Sequence, residues 1–155
     1  MRRRKAERRV ARADQKYNSE MVAHFINMVM SCGKKTVAEN IVYGAINLLH
    51  QKTQEEGLKA FNKAIENARP RLEVRPRRVG GATYQVPIEV PVSRGYSLAM
   101  RWIRDFAKVK KGKPMMVKLA DELLAAYKAE GSAIKKRDET HKMAEANRAF
   151  AHLRW

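Results

Sequence analysis

Between Ser19 and Arg69 the apolar residues return every three or four positions, and the chain reads there as three helices. Ser19 is a good N-cap with Glu20 in the first turn. Met21, Val22, Phe25, Ile26 and Val29 then share one face, up to a stop near Gly33. A second helix from about Thr36 to Thr53 carries Val37, Ile41, Ala45, Leu48 and Leu49 on one stripe. A third, from about Gly57 to Arg69, turns Leu58, Phe61, Ile65 and Ala68 inward, and Pro70 ends it. The period then drops to two. Leu72 and Val74 alternate with Glu73 and Arg75; Tyr84, Val86, Ile88 and Val90 alternate with Gln85, Pro87 and Glu89; Gly80-Gly81 lies between. That pattern predicts a β-hairpin over about 72–90, and Pro76 and Pro87 suit strands that have no further neighbour. A lone hairpin is marginal in water, so it is expected to project from a helical body and lie on something.

Helical spacing resumes from about Arg94 to Lys108 and from about Pro114 to Ala129, where Gly131 marks the end. A last helix runs from Ser132 to about Phe150. Its apolar positions are sparse (Ile134, Met143, Ala146, Phe150), so a partner is expected to hold part of it. The fold class expected is mainly α: about six helices forming a bundle, with one projecting β-hairpin between the third and fourth. Residues 1–18 read as a basic flexible arm and residues 19–155 as a single domain.

Charge changes the picture more than composition does. The chain has 155 residues, 33 lysines and arginines against 16 acids, and a formal net charge of +17. A hydrophobic share of 45% is ordinary for a globular chain, so this one folds against its own repulsion. Such an excess points to a polyanion, of which nucleic acid is the commonest. An anionic membrane surface is the rival, but no apolar stretch approaches the roughly 18 residues of a span. Met1-Arg2-Arg3-Arg4-Lys5 resembles the start of a signal peptide without the apolar run that should follow, and Glu7 and Asp14 count against a transit peptide. Cys32 is the only cysteine, which rules out an internal disulfide and fits a reducing, cytoplasmic setting.

Catalytic chemistry finds little footing. Gly33-Lys34-Lys35 looks like the end of a phosphate-binding loop, but Met28 stands where glycine is needed and Lys35 where serine or threonine is needed. His24, His50, His141 and His152 lack metal-ligand spacing. The carboxylate pairs Glu55-Glu56, Asp121-Glu122 and Asp138-Glu139 are neighbours, which point about 100° apart on a helix. The expectation is no enzyme, no metal and no cofactor.

The basic residues organise instead. Eight cations crowd the arm: Arg2, Arg3, Arg4, Lys5, Arg8, Arg9, Arg12 and Lys16. On the fourth helix Leu98, Ala99, Trp102, Phe106 and Val109 share one side, while Arg94, Arg101, Arg104, Lys108 and Lys111 share the opposite one. Lys34-Lys35 opens a helix, where exposed N–H groups also favour phosphate. Lys110, Lys111 and Lys113 flank Gly112. Arg75, Arg77 and Arg78 flank the Gly-Gly turn, with Tyr84 placed to stack on a base. Lys135, Lys136, Arg137, Lys142 and Arg148 crowd the last helix. Cations spread along the whole chain suit a broad surface that reads RNA shape better than one recognition helix in a DNA groove. An architectural DNA-binding protein and a membrane-active basic protein share the charge and remain rivals at this level.

Four segments carry a resemblance. Phe25-Ile26, then Gly33-Lys34-Lys35, then Ile41-Val42 and Ala45 form one; Arg77-Arg78-Val79-Gly80-Gly81-Ala82-Thr83-Tyr84-Gln85-Val86-Pro87 forms the second. Leu98-Ala99-Met100-Arg101-Trp102 and Met143-Ala144-Glu145-Ala146-Asn147-Arg148-Ala149-Phe150-Ala151-His152 are the others. Together they resemble the small-subunit ribosomal protein seven family of bacteria and organelles. The resemblance implies a helical body with an extended hairpin that binds the 3′ major domain of small-subunit ribosomal RNA and nucleates assembly of the subunit head. It implies a hairpin tip, Val79, Gly80, Gly81, Ala82, Thr83 and Tyr84, near the exit site for tRNA and mRNA. It also implies small-subunit ribosomal proteins nine and eleven as neighbours, in a cytoplasmic or organellar ribosome.

Overall fold

The computed structural model describes residues 12–153. Six α-helices, one hairpin and a closing 3-10 turn follow in order: α1 Glu20–Val29, α2 Lys35–Thr53, α3 Gly57–Ala68, β1 Leu72–Val79, β2 Ala82–Glu89, α4 Val92–Val109, α5 Met115–Tyr127, α6 Ser132–Ala146 and the 3-10 helix Arg148–Leu153. The mainly helical class and the place of the hairpin are as the periodicity predicts. Ser19 caps α1, its hydroxyl accepting from the Val22 amide at 3.4 Å.

The core gathers α1 to α5 with Ala133 and Ile134 from the start of α6, and α5 lies against α2, α3 and α4. Phe25 and Phe61 meet inside it with ring centroids 5.4 Å apart. At Gly44 a side chain would collide with the sulfur of Met116. A mid-helix glycine costs roughly 0.5–1 kcal/mol, and here close approach of α2 and α5 offsets it.

Two helices are turned from the expected orientation. On α2 the buried face is Ala38, Val42, Ala45, Ile46 and Leu49, while Val37 is 51% exposed. On α4 it is Gly95, Ala99, Met100, Ile103 and Ala107. Leu98, Trp102 and Phe106 line the edge of that face and Val109 is 75% exposed. Small residues decide both rotations. Alanine and glycine let a neighbouring helix come close, so they take the centre of the contact and the larger side chains spread to its margin.

The hairpin pairs Leu72 with Glu89 through to Val79 with Ala82, and leaves Gly80-Gly81 as a two-residue turn. Both glycines have positive φ, +57° and +91°, the combination that joins right-twisted strands. Directly paired residues share a face, so Tyr84 and Val86 lie with Arg77 and Arg75, while Leu72 and Val74 lie with Glu89 and Pro87. Neither face is purely apolar, and the base of the hairpin is held by chemistry of both kinds. Val86 is fully buried. The Tyr84 ring packs on Phe150 at 5.1 Å, and the Arg71 amide donates to His141 Nε2 at 2.9 Å. The partner expected for the last helix is thus supplied in part by this chain: β1 and β2 lie on α6, and β2 on the 3-10 helix. The long last helix also ends sooner than expected, at Ala146.

Candidate nucleic-acid interface

Lysine and arginine sites sort by whether an acid of the same chain already holds them. Arg2, Arg3, Arg4, Lys5, Arg8 and Arg9 lie outside the described residues. The end of the expected arm does not stand apart from the body. The Asp14 carboxylate is buried and accepts from the amides of Lys16, Tyr17 and Ser19 at 2.8–3.1 Å, and from the Tyr43 hydroxyl at 3.3 Å. Burial first, and the Asp14 charge second, raise the Tyr17 and Tyr43 hydroxyls above their ordinary range. Lys16 sits over both rings, 5.5 and 5.3 Å from their centroids.

At the start of α2 no side chain caps the helix. Lys34 and Lys35 are exposed there, and Lys35 reaches Glu39 only at 3.9 Å. Exposed amides and two lysines make this end electropositive.

The α4 stripe divides. Arg101 and Lys108 are exposed and pair with no acid among the described residues. Arg94 donates to both oxygens of Glu73, at 3.0 and 2.9 Å, and so ties α4 to the hairpin. Arg104 bridges Asp105 at 2.6 Å and the Met28 carbonyl at 3.2 Å, tying α4 to α1. Lys111 lies beyond the end of α4, so the helical phase that put it on the stripe does not apply.

After α4, Lys110 bridges the buried Glu122 at 2.7 Å and Lys113 bridges Asp121 at 3.3 Å. The neighbouring carboxylates do point apart, as expected. Asp121 serves Lys52 and Lys113, whereas Glu122 accepts from the Ala133 amide at 3.3 Å and so caps α6 from α5. The hydrogen bond from Lys52, then that from Lys113, hold the Asp121 carboxyl below its ordinary range against the opposing pull of burial.

On the hairpin, Arg75 reaches Glu73 at 2.9 Å, while Arg77 and Arg78 are exposed near the turn. Tyr84 is three residues past the turn, opposite Arg77, and its ring is partly covered by Phe150; the tip proper is Val79 to Thr83. On α6, Lys135 and Lys142 are exposed without an acid partner among the described residues, as is Arg148 in the 3-10 helix. Lys136 bridges Glu139 at 3.6 Å, and Arg137 holds Asp138 and the Asn67 carbonyl.

The sequence reading overlooked Arg69 and Arg71. They flank Pro70 and converge in space with Arg137 and His141 from α6. An Arg-Pro-Arg run at a helix stop was the available signal; the pairing with α6 was not visible without the fold.

No group of three or more His, Cys, Asp or Glu among the described residues is placed to hold a metal. None of the described helices is long and apolar enough to cross a membrane. The family model described as ribosomal protein S7p/S5e matches residues 1–148. The small ribosomal subunit protein uS7 of Fervidobacterium nodosum is 59% identical over 155 residues, all of both chains. Its counterpart from Thermotoga maritima is 58% identical, again over the full length of both, and that of Thermodesulfovibrio yellowstonii is 58% identical over 142 residues, 92% of this chain and 91% of the relative.

Proposed function

The chain belongs to the ribosomal protein S7p/S5e family, and from that premise we propose that it is a structural constituent of the small ribosomal subunit. In this reading it binds the 3′ major domain of small-subunit ribosomal RNA, nucleates assembly of the head, and lays the tip Val79–Thr83 beside the exit site for tRNA and mRNA. Small-subunit proteins nine and eleven are its neighbours there.

The observation that carries the RNA part is a set of exposed cations with no acid partner among the described residues, which includes Lys34, Arg78, Arg101, Lys108, Lys111, Lys135, Lys142 and Arg148. They are spread over helices, a strand and loops. No single element dominates, which suits recognition of folded RNA by shape and backbone charge. In this reading the arm cations Arg2, Arg3, Arg4, Lys5, Arg8 and Arg9 add further RNA contacts. Arg75, Arg94, Arg104, Lys113, Lys136 and Arg137 have a second task, since each is held by a carboxylate of this chain. Their role is to fix the surface as well as to charge it.

Competition at fixed salt between a folded 3′ major-domain RNA fragment and duplex DNA tests the reading. The fragment is expected to win. Replacing Arg101 and Lys108 together with alanine should weaken the RNA complex and flatten its salt dependence by about 0.7–0.9 for each phosphate no longer neutralised. Equal affinity for duplex DNA, or an unchanged slope, would reject it.

A further inference from the structure

We propose that the cleft between the end of α3, the start of β1 and α6 is a phosphate-binding site, built by Arg69, Arg71 and Arg137, that receives a backbone phosphate of RNA. The proposal rests on the RNA-binding reading for its ligand and on the following geometry for its site.

The cleft encloses about 410 Å³ and is lined by Glu66, Asn67, Arg69, Arg71, Arg137 and His141. That is toward the lower end of ligand pockets, roughly 300–1,000 Å³, and its walls are mostly polar, so a compact charged group suits it better than an apolar one. The guanidiniums are held in place in advance. Arg69 lies over the Tyr96 ring at 5.2 Å and bridges Glu66 at 2.6 Å. Arg137 holds the Asn67 carbonyl, and Asn67 in turn donates to the Ala126 and Tyr127 carbonyls of α5 at 3.0 Å. Arg137 thereby occupies an acceptor that the carbonyl end of α3 would otherwise turn toward an anion. Arg71 has its backbone fixed by the bond to His141, while its exposed side chain pairs with no acid among the described residues. Two arginines are therefore pre-positioned and one is uncommitted, an arrangement that saves ordering entropy on binding. The opposing carboxylates, Glu66 and Asp138, are each about half exposed at the rim (46% and 47%), where water screens them.

His141 reports on the same field. Its Nε2 accepts the Arg71 amide, so the ring is neutral with the proton on Nδ1. Burial lowers its pKa first, and the charges of Arg137 and Arg71 lower it further, against Asp138. Glu66, Arg69, Glu89, Glu145 and Arg148 are the other charged groups around the two grooves this ring lines. An anion seated among the arginines would relieve their repulsion and raise the His141 pKa. The ring is thus a probe that needs no assembled ribosome.

The test follows the His141 imidazole resonances of the full-length protein by NMR, at constant ionic strength, during titration with inorganic phosphate and in parallel with a short single-stranded oligoribonucleotide. Both should give saturable shifts and an upward move of the His141 titration midpoint, with chloride giving neither. Arg71→Gln, which keeps the amide to His141, should weaken phosphate binding about ten- to hundredfold, the range expected for removing a charge-assisted hydrogen bond. Lys59→Gln, an exposed position near the other end of α3, should leave it unchanged. Absence of a saturable response, or equal weakening by both variants, overturns the site. A response to phosphate but not to the oligonucleotide overturns the assignment to RNA backbone. Normal ribosomal RNA binding alongside either failure rejects the cleft alone, whereas failure of the unaltered protein to bind ribosomal RNA rejects the reading beneath it.

Discussion

Glu73 shows how a single side chain sets what its neighbours can do. It is 8% exposed and takes Arg75 from its own strand and Arg94 from α4. Both arginines look like RNA ligands in the sequence, because a cation's place in the chain does not say whether an acid already holds it. Glu73→Gln keeps the acceptor oxygen and removes the charge. We expect it to cost about 1 kcal/mol in urea unfolding, since two ion pairs from half-exposed guanidiniums become hydrogen bonds from a cation to a neutral acceptor. The salt dependence of RNA binding should steepen as two guanidiniums are released. Asp121 predicts a pH dependence. Its folded pKa is depressed, so its contribution is complete above its ordinary value and is lost as pH falls through the folded one. Unfolding midpoints measured at about pH 7 and about pH 3 should differ less in Asp121→Asn than in the parent. The gap between variant and parent should narrow as pH falls toward the depressed folded pKa.

At the scale of elements, the sequence located the six α-helices and the hairpin because each carries its own period, and Gly80-Gly81 and Pro70 punctuate where the backbone requires it; the 3-10 helix it merged with the last α-helix. Which way each helix faces was less legible. A hydrophobic stripe weights Trp102 and Phe106 above Ala99 and Ala107, whereas close packing puts the small residues at the centre. The docking of the hairpin on α6 was not legible either, because it depends on Tyr84 meeting Phe150 and on Arg71 meeting His141, pairs far apart in the chain. The hairpin accordingly has two parts. Its base shares Val86 and Glu73 with the body; its tip meets open space, since a side chain built at Gly80 or Gly81 would touch nothing. Deleting Val79 to Thr83 and closing Arg78 to Tyr84 with a short turn should leave the unfolding midpoint and ribosomal RNA binding unchanged. It should alter exit-site tRNA occupancy or reading-frame maintenance in assembled subunits. Failure to fold or to enter subunits would place the tip within the core or the main RNA anchor.

At the scale of the whole molecule, the order of synthesis has a consequence for how the hairpin survives its own birth. Its strands end at Glu89, but the surface that supports them, α6 and the 3-10 helix, is complete only past Ala146. At 5–20 residues per second that support, which ends at Leu153, emerges about 3–13 s after the strands do. A two-stranded ribbon without a platform is marginal in water, so a nascent chain passes through a stage in which α1 to α3 have their apolar faces available while the ribbon opens and closes. A chain ended after Glu130 reproduces that stage. Its β1 and β2 amides should exchange with solvent at least about tenfold faster than in the full chain, while those of α2 and α3 keep most of their protection. The last turns of this protein therefore act, during its making, as the clasp that shuts a structure laid down seconds earlier.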